Sequence, residues 1–300
     1  MKIAVIGREG QVAHYLRTQG RARGLYVFAA GRPEVDLTRP QTVVDFLDRV
    51  RPNVVVNAAA YTAVDKAESD GERAFQINAT GAGELARICS AASIPLVQIS
   101  TDFVFDGSKR QPYLEGDAVL PLGIYGASKA AGETAVRRTQ LQHVILRTSW
   151  VYGAHGSNFV KTMLRLAAER TELGVVDDQV GCPTSARDLA DAILKIAPVL
   201  AANRDPSIWG TYHLTGTGDV TWHGFAAEIF RHAAARNAAV PRLIAISTDG
   251  YPTPARRPAY SVLNNTKFSG KFGFMLPDWR ESLAECMAEL LPDCRAEQVA

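Results

Sequence analysis

Aromatic residues are scarce in this 300-residue chain, at 8% of the total. Small and aliphatic side chains must therefore build most of its core. Cysteine is scarcer still: Cys89, Cys182, Cys286 and Cys294 are the four in the sequence. They show no C-x-x-C pair and no companion histidine spacing, which argues against a disulfide framework and a zinc site and leaves buried or incidental thiols. A catalytic role for Cys182 is disfavoured, because no histidine lies near it in sequence. No apolar run reaches the roughly 18 residues that a membrane helix needs. The opening run, Ile3-Ala4-Val5-Ile6, is too short for a signal-peptide core and no cleavage site follows it, so the chain reads as cytoplasmic. An excess of one charge is missing too: 33 basic and 31 acidic residues leave 33 − 31 = +2. Such a chain does not hold a polyanion by bulk charge, which argues against a dedicated nucleic-acid binder. With 47% hydrophobic and 21% charged residues the composition is ordinary for a globular protein of one large domain or two lobes.

What is present is an alternation of short apolar runs and helical patterns. Strands are expected at 2–6, 25–30, 53–57, 94–100 and 143–147. Helices are expected from about Gln11, over 40–50, over 72–92 and after Tyr125. Apolar strands separated by helices predict a parallel sheet covered on both faces, and right-handed crossovers make it doubly wound. Beyond residue 153 the pattern is less regular. Helices are expected at 157–170, 186–200, 222–236 and 279–291, and short strands at 211–214 and 242–247. A Pro-rich loop covers 250–258. The reading is α/β: a Rossmann-like doubly wound parallel sheet over 1–153, and over 154–300 mainly a smaller C-terminal α/β substrate-binding cap, with some segments returning to the core. No internal repeat or low-complexity tract interrupts it.

The first strand-to-helix junction carries Gly7-Arg8-Glu9-Gly10-Gln11-Val12-Ala13. Glycines there permit a tight turn and let backbone N–H groups approach a pyrophosphate, to which the helix N-terminus adds partial positive charge. The spacing is G-x-x-G-x-x-A, unlike the G-x-G-x-x-G dinucleotide fingerprint. At the end of the second strand an acidic residue would take a ribose hydroxyl and an arginine a 2′-phosphate. The chain has Ala30-Gly31-Arg32-Pro33, so Arg32, with Arg8, favours NADPH, and use of NADH stays open. A solvated loop cation is the alternative reading of Arg32. Asp36 and Leu37 follow and border the adenine. The third strand ends in Asn57-Ala58-Ala59-Ala60-Tyr61-Thr62, whose alanines leave room for a dinucleotide at the sheet edge.

Tyr125-Gly126-Ala127-Ser128-Lys129 is the sharpest local feature. Tyr125 and Lys129 lie four apart and share a helix face. A nearby ammonium stabilises a phenolate and lowers its pKa, so the pair can protonate a carbonyl oxygen as hydride reaches its carbon. Such spacing also arises by chance on surface helices. The fourth strand runs into Ser100-Thr101-Asp102-Phe103, where a hydroxyl at the ligand edge can meet a substrate carbonyl. The fifth runs into Arg147-Thr148-Ser149-Trp150, where Trp150 either stacks on a ring or fills the core.

These parts make up a short-chain dehydrogenase/reductase of the extended type, and the resemblance goes further. NAAAYTAVDKAE (57–68), STDFVFDG (100–107), YGASK (125–129), RTSWVYG (147–153), NFVKTML (158–164), DDQVGCPTSARDLA (177–190) and ARRPAYSVLNNTKF (255–268) resemble the dTDP-4-dehydrorhamnose reductase family in order along most of the chain. The resemblance implies Tyr125 as proton donor, Lys129 as its pKa modulator and ribose ligand, and Thr101 as third member of the set. It implies Gly10, Gln11 and Val12 at the pyrophosphate, Ala60, Tyr61 and Thr62 at the middle of the cofactor, and Trp150 on the sugar nucleotide. Thr101, Asp102, Phe103 and Tyr125 would border the substrate. The reaction implied is reduction of the C4 ketone of dTDP-4-dehydro-β-L-rhamnose. Ala13 stands where the family usually has glycine, Phe103 where it often has tyrosine, and 259–263 departs from its usual polar stretch. Some relatives bind a metal at a dimer interface. No acidic cluster here suits that role, so no metal is expected, and homodimerisation stays open. The alternatives are another nucleotide-sugar reductase or epimerase of the superfamily, or a non-catalytic NADP-binding regulatory subunit related to that of methionine adenosyltransferase.

Overall fold

A computed structural model describes residues 1–203 and 205–292. The first half folds as β1 (Lys2–Ile6), α1 (Gln11–Ala22), β2 (Tyr26–Ala30), α2 (Pro40–Val50), β3 (Val54–Asn57), short helices α3 (Val64–Ala67) and α4 (Gly71–Phe75), α5 (Ala82–Ala91), β4 (Leu96–Thr101), α6 (Ile124–Thr139) and β5 (His143–Thr148). The second half continues with β6 (Val151–Tyr152), α7 (Phe159–Glu169), β7 (Glu172–Val176), β8 (Val180–Gly181), β9 (Thr184–Ser185), α8 (Ala186–Ala202), β10 (Gly210–His213), β11 (Val220–Thr221), α9 (Trp222–Ala234), β12 (Arg242–Ile246), α10 (Thr266–Phe272) and α11 (Trp279–Leu290).

Six strands form one sheet in the order β10-β5-β4-β3-β1-β2, and every pairing is parallel. The strand pleat explains why these runs are apolar throughout. Ile3, Val5, Val54, Val56, Val97, Val144 and Leu146 face α1 and α8. Ala4, Ile6, Val55, Leu96 and Ile145 face the other way, toward α2 and α5. Successive side chains point to opposite faces, so both faces must be covered. The chain steps from β1 to β2 on one side and returns to β3 on the other. That reversal opens a crevice between the ends of β1 and β3, where ligands bind in such sheets. β2 is an edge strand, with Tyr26 65% and Phe28 40% exposed. Periodicity alone does not reveal position in a sheet.

The sheet draws on the second half. α8 packs on α1 in the same core cluster, together with Tyr212 of β10 and Phe268 of α10. A separate cluster gathers Tyr152, Val160, Phe225, Ile229, Trp279 and Leu283 between α7, α9 and α11. The parallel pair β7–β12 lies against it. The helix expected over 72–92 departs from α geometry: a π turn, Gln76–Gly81, separates α4 from α5. The helix after Gly123 begins at Ile124, so Tyr125 stands in its first turn. Cys89, Cys182 and Cys286 are buried free thiols. Cys294, and the part of the expected cap range beyond residue 292, lie outside the described residues. Among the described residues, no helix is long and apolar enough to cross a membrane.

Candidate active site

A cleft of about 560 Å³ opens at the C-terminal ends of β1, β3, β4 and β5. It brings together Gly10, Gln11, Val12, Ala58, Ala60 and Thr62 with Thr101, Asp102, Phe103, Tyr125, Lys129 and Trp150. Gly7 supports the cleft from beneath. Its φ is +109°, and a Cβ on it would meet the Ala58 and Ala59 backbone at 3.0 Å. A side chain there would have to force the β1 turn away from the β3 end. Gly10 has open space around it and begins α1 with no side-chain cap and no acidic residue in the first turn. The first N–H groups of a 12-residue helix thus meet an open cleft, the usual setting for a bound anion. The Gln11 side chain is otherwise engaged: its Oε1 accepts from Asn158 Nδ2 at 2.9 Å, tying α1 to the start of α7. These features fit a dinucleotide pyrophosphate.

The remaining cofactor candidates lie around that cradle. Arg8 and Arg32 are exposed neighbours; a Cβ on Gly31 would lie 3.1 Å from the Arg8 nitrogen. Arg8 pairs with Glu9 at 2.8 Å. Burial works to raise the Asp36 carboxyl, but hydrogen bonds from Thr38 and the Arg73 and Arg32 cations outweigh it and hold it low. The Leu37 side chain is buried in the core, and a Cβ on Gly81 would come within 2.8 Å of the Leu37 Cβ. Tyr61 donates its phenol O–H to Asp70 at 3.0 Å. Its peptide is clamped by Asn78, whose Oδ1 accepts from Tyr61 N at 2.8 Å and whose Nδ2 donates to Tyr61 O at 3.0 Å. Asn78 also donates to Ser128 Oγ at 3.0 Å, linking this loop to α6. Asn78 is not among the candidates read from the sequence. Its one signal is a polar residue on the buried side of an amphipathic helix.

Tyr125 stands half-buried on the cleft wall, with Phe103 edge-to-face at 5.6 Å and 72°. The Phe103 ring therefore supports the Tyr125 phenol. Thr101 ends β4, where its hydroxyl accepts from Phe103 N at 3.2 Å and donates to Asp102 Oδ1 at 3.1 Å. Burial pushes the Tyr125 phenol up to about 12; a hydrogen bond with Thr101 works against this and the Asp102 anion with it. Lys129 is not among the groups that set this direction. The ammonium is turned elsewhere, donating to Ile99 O at 2.7 Å. Burial lowers Lys129 to about 8, with Glu133 pulling the other way. Burial raises Asp102 to about 6, opposed by hydrogen bonds with the Ser261 and Thr101 hydroxyls.

Trp150 has φ 46°, a backbone region that bulky residues rarely adopt. Its ring stacks on Trp222, with centroids 3.4 Å apart and planes 7° from parallel. A Cβ on Gly181 would lie 2.5 Å from the Trp150 ring, so only glycine leaves room there. The ring stacking expected at Trp150 is thus made by a second tryptophan, 72 residues further on, which sequence reasoning missed. Trp222 and Arg257 also line a second cavity, of about 780 Å³, bounded by Met163, Val175, Gln179 and Tyr251. Arg257 Nη2 donates to Asp65 Oδ2 at 2.8 Å and the Ala255 N–H to Asp65 Oδ1 at 3.2 Å, fastening the 250–258 loop to α3. The Arg257 hydrogen bond leads the causes that hold Asp65 low.

A doubly wound parallel sheet, a dinucleotide cradle at its switch point and a Thr–Tyr–Lys set in the same cleft define a protein of the short-chain dehydrogenase/reductase class. Comparison with known proteins narrows this. The family described as the RmlD substrate binding domain matches residues 1–291. A dTDP-4-dehydrorhamnose reductase of Burkholderia thailandensis is 45% identical over 97% of this chain and 99% of its own. The solved dTDP-4-dehydrorhamnose reductase of Clostridium acetobutylicum superposes with a TM-score of 0.90 at 39% identity, over 97% of this chain and 99% of its own. That of Bacillus anthracis, in complex with NADP, gives 0.89 at 35% identity, over 96% and 99%. The chain belongs to the dTDP-4-dehydrorhamnose reductase family.

Proposed function

We propose that this protein reduces the C4 ketone of dTDP-4-dehydro-β-L-rhamnose to dTDP-L-rhamnose, with NADPH as reductant and NADH as a second choice. One observation carries the reading: Thr101, Tyr125 and Lys129 share a cleft in a chain matching dTDP-4-dehydrorhamnose reductases over nearly its whole length. Bound NADPH supplies the hydride. The backbone from Gly7 to Val12 and the open end of α1 receive its pyrophosphate. Ala58, Ala60, Tyr61 and Thr62 border its middle, and Lys129 its ribose. Asp36 stands beside the adenine end, where Arg32 and Arg8 meet the 2′-phosphate. Thr101 orients the ketone and Tyr125 gives its proton to the ketone oxygen as negative charge develops there. With the phenol near 12, Tyr125 is loaded at neutral pH and is still a stronger acid than the alcohol it forms. The Trp150–Trp222 stack walls the sugar nucleotide at the junction of the two cavities.

The test is NADPH oxidation, followed by absorbance, with dTDP-4-dehydro-L-rhamnose. Turnover that requires the sugar is expected. NADPH binding without oxidation would overturn the reading and favour a non-catalytic subunit. In the same assay Arg32→Ala should raise KM for NADPH about tenfold and hardly change that for NADH. That factor is the worth of one charge-assisted hydrogen bond of about 1.5 kcal/mol. Equal effects on the two cofactors would remove the 2′-phosphate role. Trp222→Ala should raise KM for the sugar nucleotide about fivefold, since an aromatic pair contributes about 1 kcal/mol beyond its buried area. KM for NADPH should stay within about twofold, and a larger rise there would place Trp222 on the cofactor.

A further inference from the structure

We propose that Glu133 is a positioning residue for this reaction: a buried carboxylate that locks α6, which carries Tyr125 and Lys129, to β4, which carries Thr101, and to β5, and serves as counter-charge to the Lys129 ammonium. The proposal rests on the reading of Lys129 given above. Tyr125, Lys129 and Glu133 stand at i, i+4 and i+8 of α6 and so share one face. Glu133 is 1% exposed, and both its oxygens are fully engaged. Oε1 accepts from Ser100 Oγ at 2.6 Å and Arg147 Nε at 2.9 Å. Oε2 accepts from Arg147 Nη2 at 2.7 Å and Arg137 Nη1 at 3.0 Å. Ser100 immediately precedes Thr101 on β4. Arg147 lies on β5, three residues before Trp150. One carboxylate therefore ties α6 to both strands beside the cleft.

Arg147 is itself held, 2% exposed, with its guanidinium over the Phe105 ring at 5.1 Å and within 3.5 Å of His213 Nε2 on β10. An apolar set of the same volume would serve stability as well as such a buried ion network; what the ions add is fixed direction. The charged and titratable groups facing the Glu133–Lys129 pair are Arg137 on α6, Arg147 on β5, His213 on β10, Asp102 beyond Thr101 and Glu115, whose carbonyl meets Arg147 at 3.4 Å. Burial, then Arg147, drive His213 down to about 3, so it is neutral in the working range. Removing the Glu133 charge should make the Lys129 ammonium easier to deprotonate. Removing the Arg137 charge should make it harder. A merely structural lesion does not produce shifts of opposite sign.

The test is the pH dependence of kcat in Glu133→Gln, Glu133→Asp and Arg137→Ala enzymes, with Lys129→Met alongside. The alkaline limb should move to lower pH in Glu133→Gln, by about half a unit or more, with kcat at pH 7 down about tenfold. It should stay near wild type in Glu133→Asp, which keeps the charge, and move to higher pH in Arg137→Ala. Limbs that coincide with wild type in both Glu133→Gln and Arg137→Ala overturn the inference. Should Glu133→Gln fail to fold, Arg137→Ala decides alone, because Arg137 lies at the surface: an unmoved limb overturns, an alkaline shift supports. A Lys129→Met enzyme with wild-type turnover overturns the reading of the site itself. An inactive one with unmoved limbs overturns only the role of Glu133.

Discussion

Tyr125→Phe is expected to lower kcat by about 10³-fold while leaving the fold intact. The magnitude is that of removing one general acid, 10²–10⁴-fold in rate. Packing leaves nothing else to change. Phenylalanine keeps the ring, and with it the edge-to-face contact to Phe103 at 5.6 Å. It deletes one hydroxyl whose partner, Thr101, retains a hydrogen bond to Asp102 at 3.1 Å. The stability change should therefore stay near 1 kcal/mol, the net value of a single hydrogen bond. The pH profile separates two versions of the mechanism. A phenol near 12 remains protonated across the assay range, so it contributes no limb near neutrality. Lys129, lowered to about 8, is charged below that pH and neutral above it. Activity should therefore fall as pH rises through about 8. Single-turnover NADPH oxidation in wild type and variant, with thermal unfolding of both, makes the check. Wild-type kcat in Tyr125→Phe would remove Tyr125 from the chemistry.

The parts of this site that were legible in the sequence are those written locally. The apolar runs at 2–6, 53–57 and 143–147 had to be buried on both faces, and the six-stranded sheet buries them so. Gly7 and Gly10 had to sit at a strand-to-helix turn. Tyr125 and Lys129, four apart, had to share a face. What was not legible depends on partners far along the chain or on backbone geometry with no residue code. Trp150 could be placed at the lip, but its partner Trp222 arrives only when β11 and α9 fold onto the core. β7 and β12 pair residues seventy positions apart in the chain. The π turn at Gln76–Gly81 widens a helix whose apolar spacing looks ordinary, yet it presents Asn78 to Tyr61 and Ser128. The direction of the Tyr125 shift was not legible for a related reason. Helical spacing shows that a lysine is near, but not that its ammonium is turned to the Ile99 carbonyl while burial acts on the phenol.

Gly126→Ala is expected to lower kcat by about 10²-fold and to destabilise the protein by up to about 2 kcal/mol. In sequence this glycine is only a spacer between Tyr125 and Lys129. In the fold it is where α6 lies against the chain leaving β4. A Cβ added to it would stand 2.1 Å from the Phe103 carbonyl oxygen, 2.9 Å from Pro121 Cβ and 3.0 Å from the Phe103 carbonyl carbon. Two opposing effects meet here. Alanine favours a helix over glycine by about 1 kcal/mol. The contact with Phe103 is with backbone and cannot be relieved by a rotamer change, so either α6 or the 102–104 turn must retreat by roughly 1 Å. Overpacking of that kind typically costs about 1–3 kcal/mol, and it wins. The retreat also separates Tyr125, next to the clash, from Thr101, two residues before Phe103. A misplacement of about 1 Å at reacting groups costs on the order of 10² in rate. Gly270 supplies the control. It lies in α10 with nothing within 4 Å of an added Cβ, so Gly270→Ala should stabilise by up to about 1 kcal/mol and leave kcat unchanged. Thermal unfolding and kcat measured on the two variants decide the matter. If Gly126→Ala matches Gly270→Ala in both, then close approach of α6 to Phe103 does not set the distance between Tyr125 and Thr101.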